Sequence, residues 1–219
     1  QHQIEVKDVA AIGNSCNVIF LAVKPQDLAD VLNELKQTIQ PETLVISIAA
    51  GKTIKFIEDQ LQTNNPVIRA MPNTPAQIGK GISAIAASAK VSSDELKIAT
   101  KLLSTTGEVV VVTEDKIDAV TALSGSGPAY LFYFIEAMVK AGVELGLTDE
   151  IATKLAIETI SGSAAMLKES NLDVATLRKN VTSPKGTTAA ALEVFSNNDL
   201  ENIIFKAMSA AKNRAQELA

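Results

Sequence analysis

The chain has 219 residues, 47% of them hydrophobic and 21% charged, with a net charge of −5; such a composition belongs to a globular protein, not a disordered one. The acidic balance and the lack of a dense Lys/Arg cluster argue against nucleic acid or an anionic membrane as the main partner. One cysteine (Cys16) excludes an intrachain disulfide, one histidine (His2) leaves no Cys/His zinc site, no apolar run nears the ~18 residues of a membrane span, and the absence of a signal peptide makes a cytoplasmic setting the expectation.

The chain opens "QHQIEVKD", without an initiator Met, and reads there as the middle of a longer sequence. Residues 18–23 ("VIFLAV") form an unbroken apolar run, which predicts a strand buried on both faces. Pro25 suits the first turn of a helix, and Leu28, Val31, Leu32, Leu35 and Ile39 follow at helical spacing. "TLVISIAAG" predicts a second strand that closes on small residues, with a helix near Thr53–Leu61 behind it. "PVIRAMP" and "GISAIAAS" predict a third and a fourth strand. Ser92 or Ser93 caps a helix reaching about Thr105, with Asp94 and Glu95 in its first turn. "EVVVV" (Glu108–Val112) is the fifth strand. Strands alternating with helices predict a parallel α/β layer.

After Thr113 the pattern predicts helices only: "EDKIDAVTAL", "PAYLFYFIEAMVKAGVELG", "TDEIATKLAIETISGSAAMLKES", "DVATLRKN" and "TTAAALEVFSNNDLENIIFKAMSAAKNRAQEL". Gly146 reads as a helix stop and Thr148 as the next N-cap, with Glu150 close behind. The expected organisation is therefore an α/β domain over 1–113 and an all-α domain over 114–219. Around Tyr130–Val139 only Glu136 is charged, and so many bulky residues cannot share one helix face. The helical half is too small to cover them, so an obligate dimer with an apolar interface above ~2,000 Å² is expected.

Ligands of open α/β sheets bind at the carboxyl ends of the strands. Two such ends are distinctive: Ala22, Val23, Lys24 and Pro25, then Ala49, Ala50 and Gly51. Small residues admit a ligand to the backbone, and the following helix N-termini favour anions. Ordinary turns with a solvated Lys24 explain the same residues. In "RAMPNTPAQIGKG" two prolines stiffen a loop, and Asn73 can bond backbone groups within it. In "SGSGPAY" Pro128 is expected at the first helical position, with Ser126 or Gly127 as N-cap and the glycines leaving that end open. A serine hydrolase lacks its base here, since His2 is the sole histidine. In "NVTSPKGTTAAALEVF" Pro184, Lys185 and Gly186 form a turn, and Thr187 and Thr188 open a helix. Exposed N–H groups beside two hydroxyls suit a carboxylate; plain capping suits them equally.

Together, "FLAVKPQ", "SIAAG", "RAMPNTPAQIGKG", "LSGSGPAYLF" and "VTSPKGTTAAALE" resemble the pyrroline-5-carboxylate reductase family in order and spacing, across essentially the whole chain. The resemblance implies a Rossmann-like, dinucleotide-binding α/β domain, N-terminally incomplete here, followed by a helical dimerisation domain. It implies hydride transfer from NADPH or NADH to 1-pyrroline-5-carboxylate, the last step of proline biosynthesis. It places Val23, Lys24 and Ala50 along the cofactor. Asn180, Thr187 and Thr188 meet the substrate's carboxylate and ring nitrogen, with Ser183 and Gly186 in the same loop. Thr188 is assigned to the ring nitrogen, orienting it more than donating a proton. The active site forms at a homodimer interface, and five dimers commonly form a ring. In "LSGSGPAY" the small residues approach the substrate pocket, while "YLFYFIEAM" is buried against the partner.

The chain departs from the family in three places. The family's opening strand and GxGxxA/G pyrophosphate turn lie roughly 45 residues before the point where this sequence starts, so NADPH is expected to bind the 219-residue chain more weakly than its parent. Val9 stands where Asn is usual, and Lys185 where "SPGGTT" has Gly. If residue 185 needs a positive φ, Lys is strained there by roughly 1 kcal/mol or more. Two other readings compete: a dimer-forming fragment without catalysis, and another NADP-linked dehydrogenase with a helical dimer domain. The latter would need a catalytic Lys within a helix of the second domain, and no compelling equivalent stands out.

Overall fold

The computed structural model describes residues 5–218; Gln1–Ile4, including His2, and Ala219 lie outside the described residues. Helix α1 (Val9–Ser15) starts where the Asp8 carboxylate accepts from Ala11 N at 2.7 Å. It is followed by β1 (Val18–Leu21), α2 (Leu28–Leu35), β2 (Leu44–Ser47), α3 (Ile54–Leu61) and β3 (Val67–Met71). A 3-10 turn (Thr74–Ile78), β4 (Gly81–Ala87), α4 (Ser93–Leu103) and β5 (Gly107–Val111) complete the α/β part. Ser92 caps α4 with a full capping box to Glu95.

The five strands lie side by side in chain order. β1–β2, β2–β3 and β4–β5 are parallel, but β3 and β4 are antiparallel. The expected all-parallel layer is thus corrected at one step. A parallel crossover needs a dozen or more residues, and only residues 72–80 join β3 to β4. Pro72 and Pro75 keep that stretch out of an α-helix, and Asn73 Oδ1 accepts from Ile82 N at 3.0 Å, pinning the hairpin. Apolar residues cover both sheet faces. Leu28, Leu32, Ile57 and Leu61 pack with Val45 and Val67 in one cluster. Ile46, Ile68 and Ile85 pack with Ala99 and Leu103 in the other. Burial on both sides is why β2 and β3 read as continuous apolar runs. At the sheet edge β1 alternates instead, with Phe20 41% exposed, so the double burial expected of residues 18–23 is corrected: an edge strand has less covering one face.

Pro25 is not in the first turn of α2. Lys24–Asp27 form a β-turn, with Asp27 N donating to Lys24 O at 3.0 Å, and the helix begins at Leu28. Pro25 fills the second turn position, where its locked φ is equally well suited.

The helical part contains a 3-10 turn (Glu114–Lys116), α5 (Ile117–Val120), a π-turn (Thr121–Gly125), α6 (Gly127–Glu144), α7 (Asp149–Glu169), α8 (Val174–Asn180), α9 (Thr187–Asn197) and α10 (Leu200–Glu217). Two expectations change here. "SGSGP" is not a capped helix start: Ser126 keeps helical angles, and its N–H donates to Thr121 O, five residues back, at 2.8 Å. Pro128, the second residue of α6, has no N–H to give the preceding turn, and widening that turn accommodates the gap. Ser124 Oγ donates to Val120 O at 3.2 Å and Thr121 Oγ1 to Ile117 O at 2.9 Å, back-bonds that accompany bent helices. The final predicted helix is two helices, α9 and α10. Asp199 between them has φ 54°, a left-handed conformation that, glycine aside, Asn and Asp tolerate best.

Two compact units emerge. One runs to Pro128 and includes the residues from Met208 onward; the other is Ala129–Ala207. The first holds the sheet and its clusters. Among the described residues of the second, only Ala152 and Ala156 are buried. Phe132 is 59%, Tyr133 75% and Phe205 70% exposed. This unit has no core of large side chains within one chain.

Candidate functional site

β1 and β2 are parallel neighbours, so the residues that follow them share one edge of the sheet. Ile48 N donates to Leu21 O at 3.1 Å, which sets Ala22–Pro25 beside Ala49–Gly51. Ala22, Lys24 and Ala50 are exposed, Val23 and Pro25 are half-buried, and Ala49 and Gly51 are buried. Ser47 Oγ accepts from Ala49 N at 3.3 Å and holds the second turn. Gly51 has φ 75°, and a Cβ there would lie 2.8 Å from Leu218 O. Its lack of a side chain therefore serves a turn and a close approach by the end of the chain. α2 begins without a side-chain cap, whereas α3, α4, α7 and α8 each have one. Its first amides are free of side-chain partners beside Lys24.

In the second unit, Asn180 ends α8, and residues 181–186 lead into α9. Thr182 Oγ1 donates to Arg178 O at 2.6 Å, and Gly186 N to Ser183 O at 3.0 Å. Any side chain on Gly186 would collide with Ser183 Oγ. Lys185 has φ 61°, so the condition for strain stated from the sequence is met. Gly186 is the N-cap of α9 and offers no side chain, which leaves the first amides of α9 uncapped next to Thr187 and Thr188. Thr188 is half-buried and Thr187 exposed. Asn180, Ser183, Gly186, Thr187 and Thr188 thus fall in one short loop and helix start, an arrangement of N–H and O–H donors suited to a carboxylate. A separate open cavity of about 920 Å³ between α8, α9 and the start of α10 is lined by Arg178, Lys179, Glu193 and Glu201 and by none of those five.

One group escaped the sequence reading. Arg69 in β3 is only 4% exposed and lies against Glu114 and Asp118. A lone charge inside the apolar run "PVIRAMP" was the available signal. Among the described residues no cluster of His, Cys, Asp or Glu could hold a metal ion, and no helix is long and apolar enough to cross a membrane.

The sequence matches the model of the pyrroline-5-carboxylate reductase dimerisation domain over residues 114–218, and that of coenzyme F420-dependent NADP oxidoreductases over residues 1–51. A pyrroline-5-carboxylate reductase of Corynebacterium melassecola is 39% identical over 218 residues, 98% of this chain and 81% of that protein. The chain belongs to the pyrroline-5-carboxylate reductase family. The family's solved structures share its fold. A pyrroline-5-carboxylate reductase from Coxiella burnetii superposes with a TM-score of 0.93 at 40% identity, over 98% of this chain and 80% of that one. The Plasmodium falciparum pyrroline carboxylate reductase, solved with NADP bound, does so with a TM-score of 0.89 at 32% identity, over 97% and 81%. The Rossmann-like α/β part and the helical part expected from the sequence are both those of the family.

Proposed function

We propose that this protein reduces 1-pyrroline-5-carboxylate to L-proline with NADPH or NADH, the last step of proline biosynthesis. The observation that carries this is 39% identity to a named reductase across 98% of the chain. When bound, the nicotinamide supplies the hydride, and a protonated cyclic imine is already electrophilic. The protein's share is then orientation, carboxylate binding and proton handling at nitrogen. Ala22–Pro25 and Ala49–Gly51 border the cofactor; the adjacency of the two turns, the uncapped start of α2 and the Lys24 charge fit an anionic dinucleotide. The uncapped amides of α9, with Thr187, hold the substrate carboxylate, and Thr188 hydrogen-bonds at the ring nitrogen. Asn180, Ser183 and Gly186 shape the same loop.

The working unit is a homodimer in the cytoplasm, with five dimers in a ring, and the functional division falls at 113/114. Dimerisation draws support from a second unit in which only two alanines are buried. Following nicotinamide absorbance with 1-pyrroline-5-carboxylate tests the activity. Oxidation above background is expected, and Thr188→Val is expected to lower kcat/KM by ~10²-fold. No oxidation with either cofactor would overturn the assignment.

A further inference from the structure

β3 carries the one charged residue in the buried set among the described residues. Val67, Arg69 and Met71 share a strand face, because side chains alternate along a strand. Val67 and Met71 pack into the cluster that includes Ile117 and Val120. Arg69, between them, sends Nη1 to Glu114 Oε1 at 3.5 Å and Nη2 to Asp118 Oδ1 at 3.4 Å. In the sheet it is in register with Ser47 of β2, whose Oγ holds the Ala49–Gly51 turn.

The two carboxylates belong to different pieces of backbone. Glu114 Oε1 also accepts from Ile54 N at 2.6 Å, so it secures the first turn of α3 directly after that same Ala49–Gly51 turn. Asp118 lies in α5, one turn ahead of the π-turn Thr121–Gly125, which rests through Gly125 on Met71. The planar guanidinium reaches both carboxylates at once from a single rigid strand, which a lysine's point charge cannot do.

We propose that Arg69 is a positioning residue: through Glu114 it sets the Ala49–Gly51 turn at the end of β2, and through Asp118 it sets the π-turn at the end of β3. The effect on turnover rests on the reductase reading above. The clamp itself rests only on the geometry.

Three variants of the full chain test it: Arg69→Met, Arg69→Lys, and the triple variant Arg69→Met/Glu114→Gln/Asp118→Asn. The triple variant removes the carboxylate charges that Arg69→Met leaves unpaired, so a role limited to charge compensation predicts recovery of both stability and kinetics. The clamp predicts recovery of the melting temperature alone. KM for the nicotinamide cofactor stays about tenfold raised and kcat/KM stays about tenfold or more lowered, as loosened turn geometry requires. Amide exchange at 50–54 and 121–126 is faster than in the wild type, while β2 and β4 are unchanged. A triple variant with wild-type KM and exchange overturns the proposal. If Arg69→Met does not fold, Arg69→Lys decides: raised KM with fast exchange in both segments supports the clamp, and wild-type values sink it. If the wild type itself shows no turnover, the reductase reading fails, and the exchange comparison alone judges the clamp, unchanged exchange overturning it.

Discussion

Met71 Cε lies 2.5 Å from the point where a Cβ on Gly125 would stand. The end of β3 and the π-turn are therefore packed to the limit that glycine allows, and residues 71 and 125, far apart in two separate motifs of the sequence, meet at this contact. The obstacle is the tip of a flexible side chain, so the site should yield at modest cost. Gly125→Ala is expected to lower stability by about 1 kcal/mol, and Gly125→Val by more, in denaturant unfolding. In a Met71→Ala background the Gly125→Ala penalty should shrink, which a double-mutant cycle reads directly. An undiminished penalty would place the strain elsewhere.

Lys185 sits at φ 61° before Gly186. A left-handed non-glycine residue costs roughly 1–2 kcal/mol, while glycine's extra freedom in the unfolded chain returns about 0.5–1 of that. Lys185→Gly is thus expected to stabilise the protein by about 0.5 kcal/mol in thermal unfolding. Lys185→Ala removes the charge and keeps the strained angle, so it should change little. Equal gains from both variants would show that charge, not backbone angle, is responsible.

Asp173 begins α8 by accepting from Thr176 N at 3.0 Å and from Thr176 Oγ1 at 2.8 Å. The backbone bond from Thr176 first, then the hydroxyl bond, holds its carboxyl below the usual 3.8. A carboxylate depressed in the folded state stabilises above its unfolded value, and the benefit is lost as pH falls through the folded value. Asp173→Ala should therefore melt earlier than wild type near neutrality, and the gap should close in acid below 3.8. A gap that persists there would mean the side chain acts by packing and not as an anion.

Phe132, Tyr133 and Phe205 face solvent in a unit where only Ala152 and Ala156 are buried. In the proposed homodimer, such a unit gains its apolar burial from a second copy. Unfolding midpoints are expected to rise with protein concentration, and Tyr133→Glu should shift sedimentation toward monomer. A compact, concentration-independent monomer would remove the dimer and any site built across it.

The order of strands and helices was legible along the chain because the strands are apolar runs, buried on both faces in β2 and β3 and apolar even where the edge strand β1 leaves Phe20 exposed. Runs such as "VIFLAV" and "TLVIS" have no polar alternation to confuse, and Ser92 and Thr148 announce their helices by local capping chemistry. The family motifs, spread from Phe20 to Glu193, were legible in the same linear way. Three features were decided in three dimensions. Strand direction at β3–β4 depended on a connection too short to cross over, a fact about distance between elements. The path through "SGSGP" depended on neighbours: glycine and proline there signal a helix start locally, yet with Gly125 seated on Met71 the helix continues through a widened turn. The role of Arg69 depended on Glu114 and Asp118, which lie 45 and 49 residues away in sequence and reach it only once β3 and α5 are packed. Local propensity set the elements; long-range packing and pairing, which no window of sequence contains, set their directions and brought distant residues together.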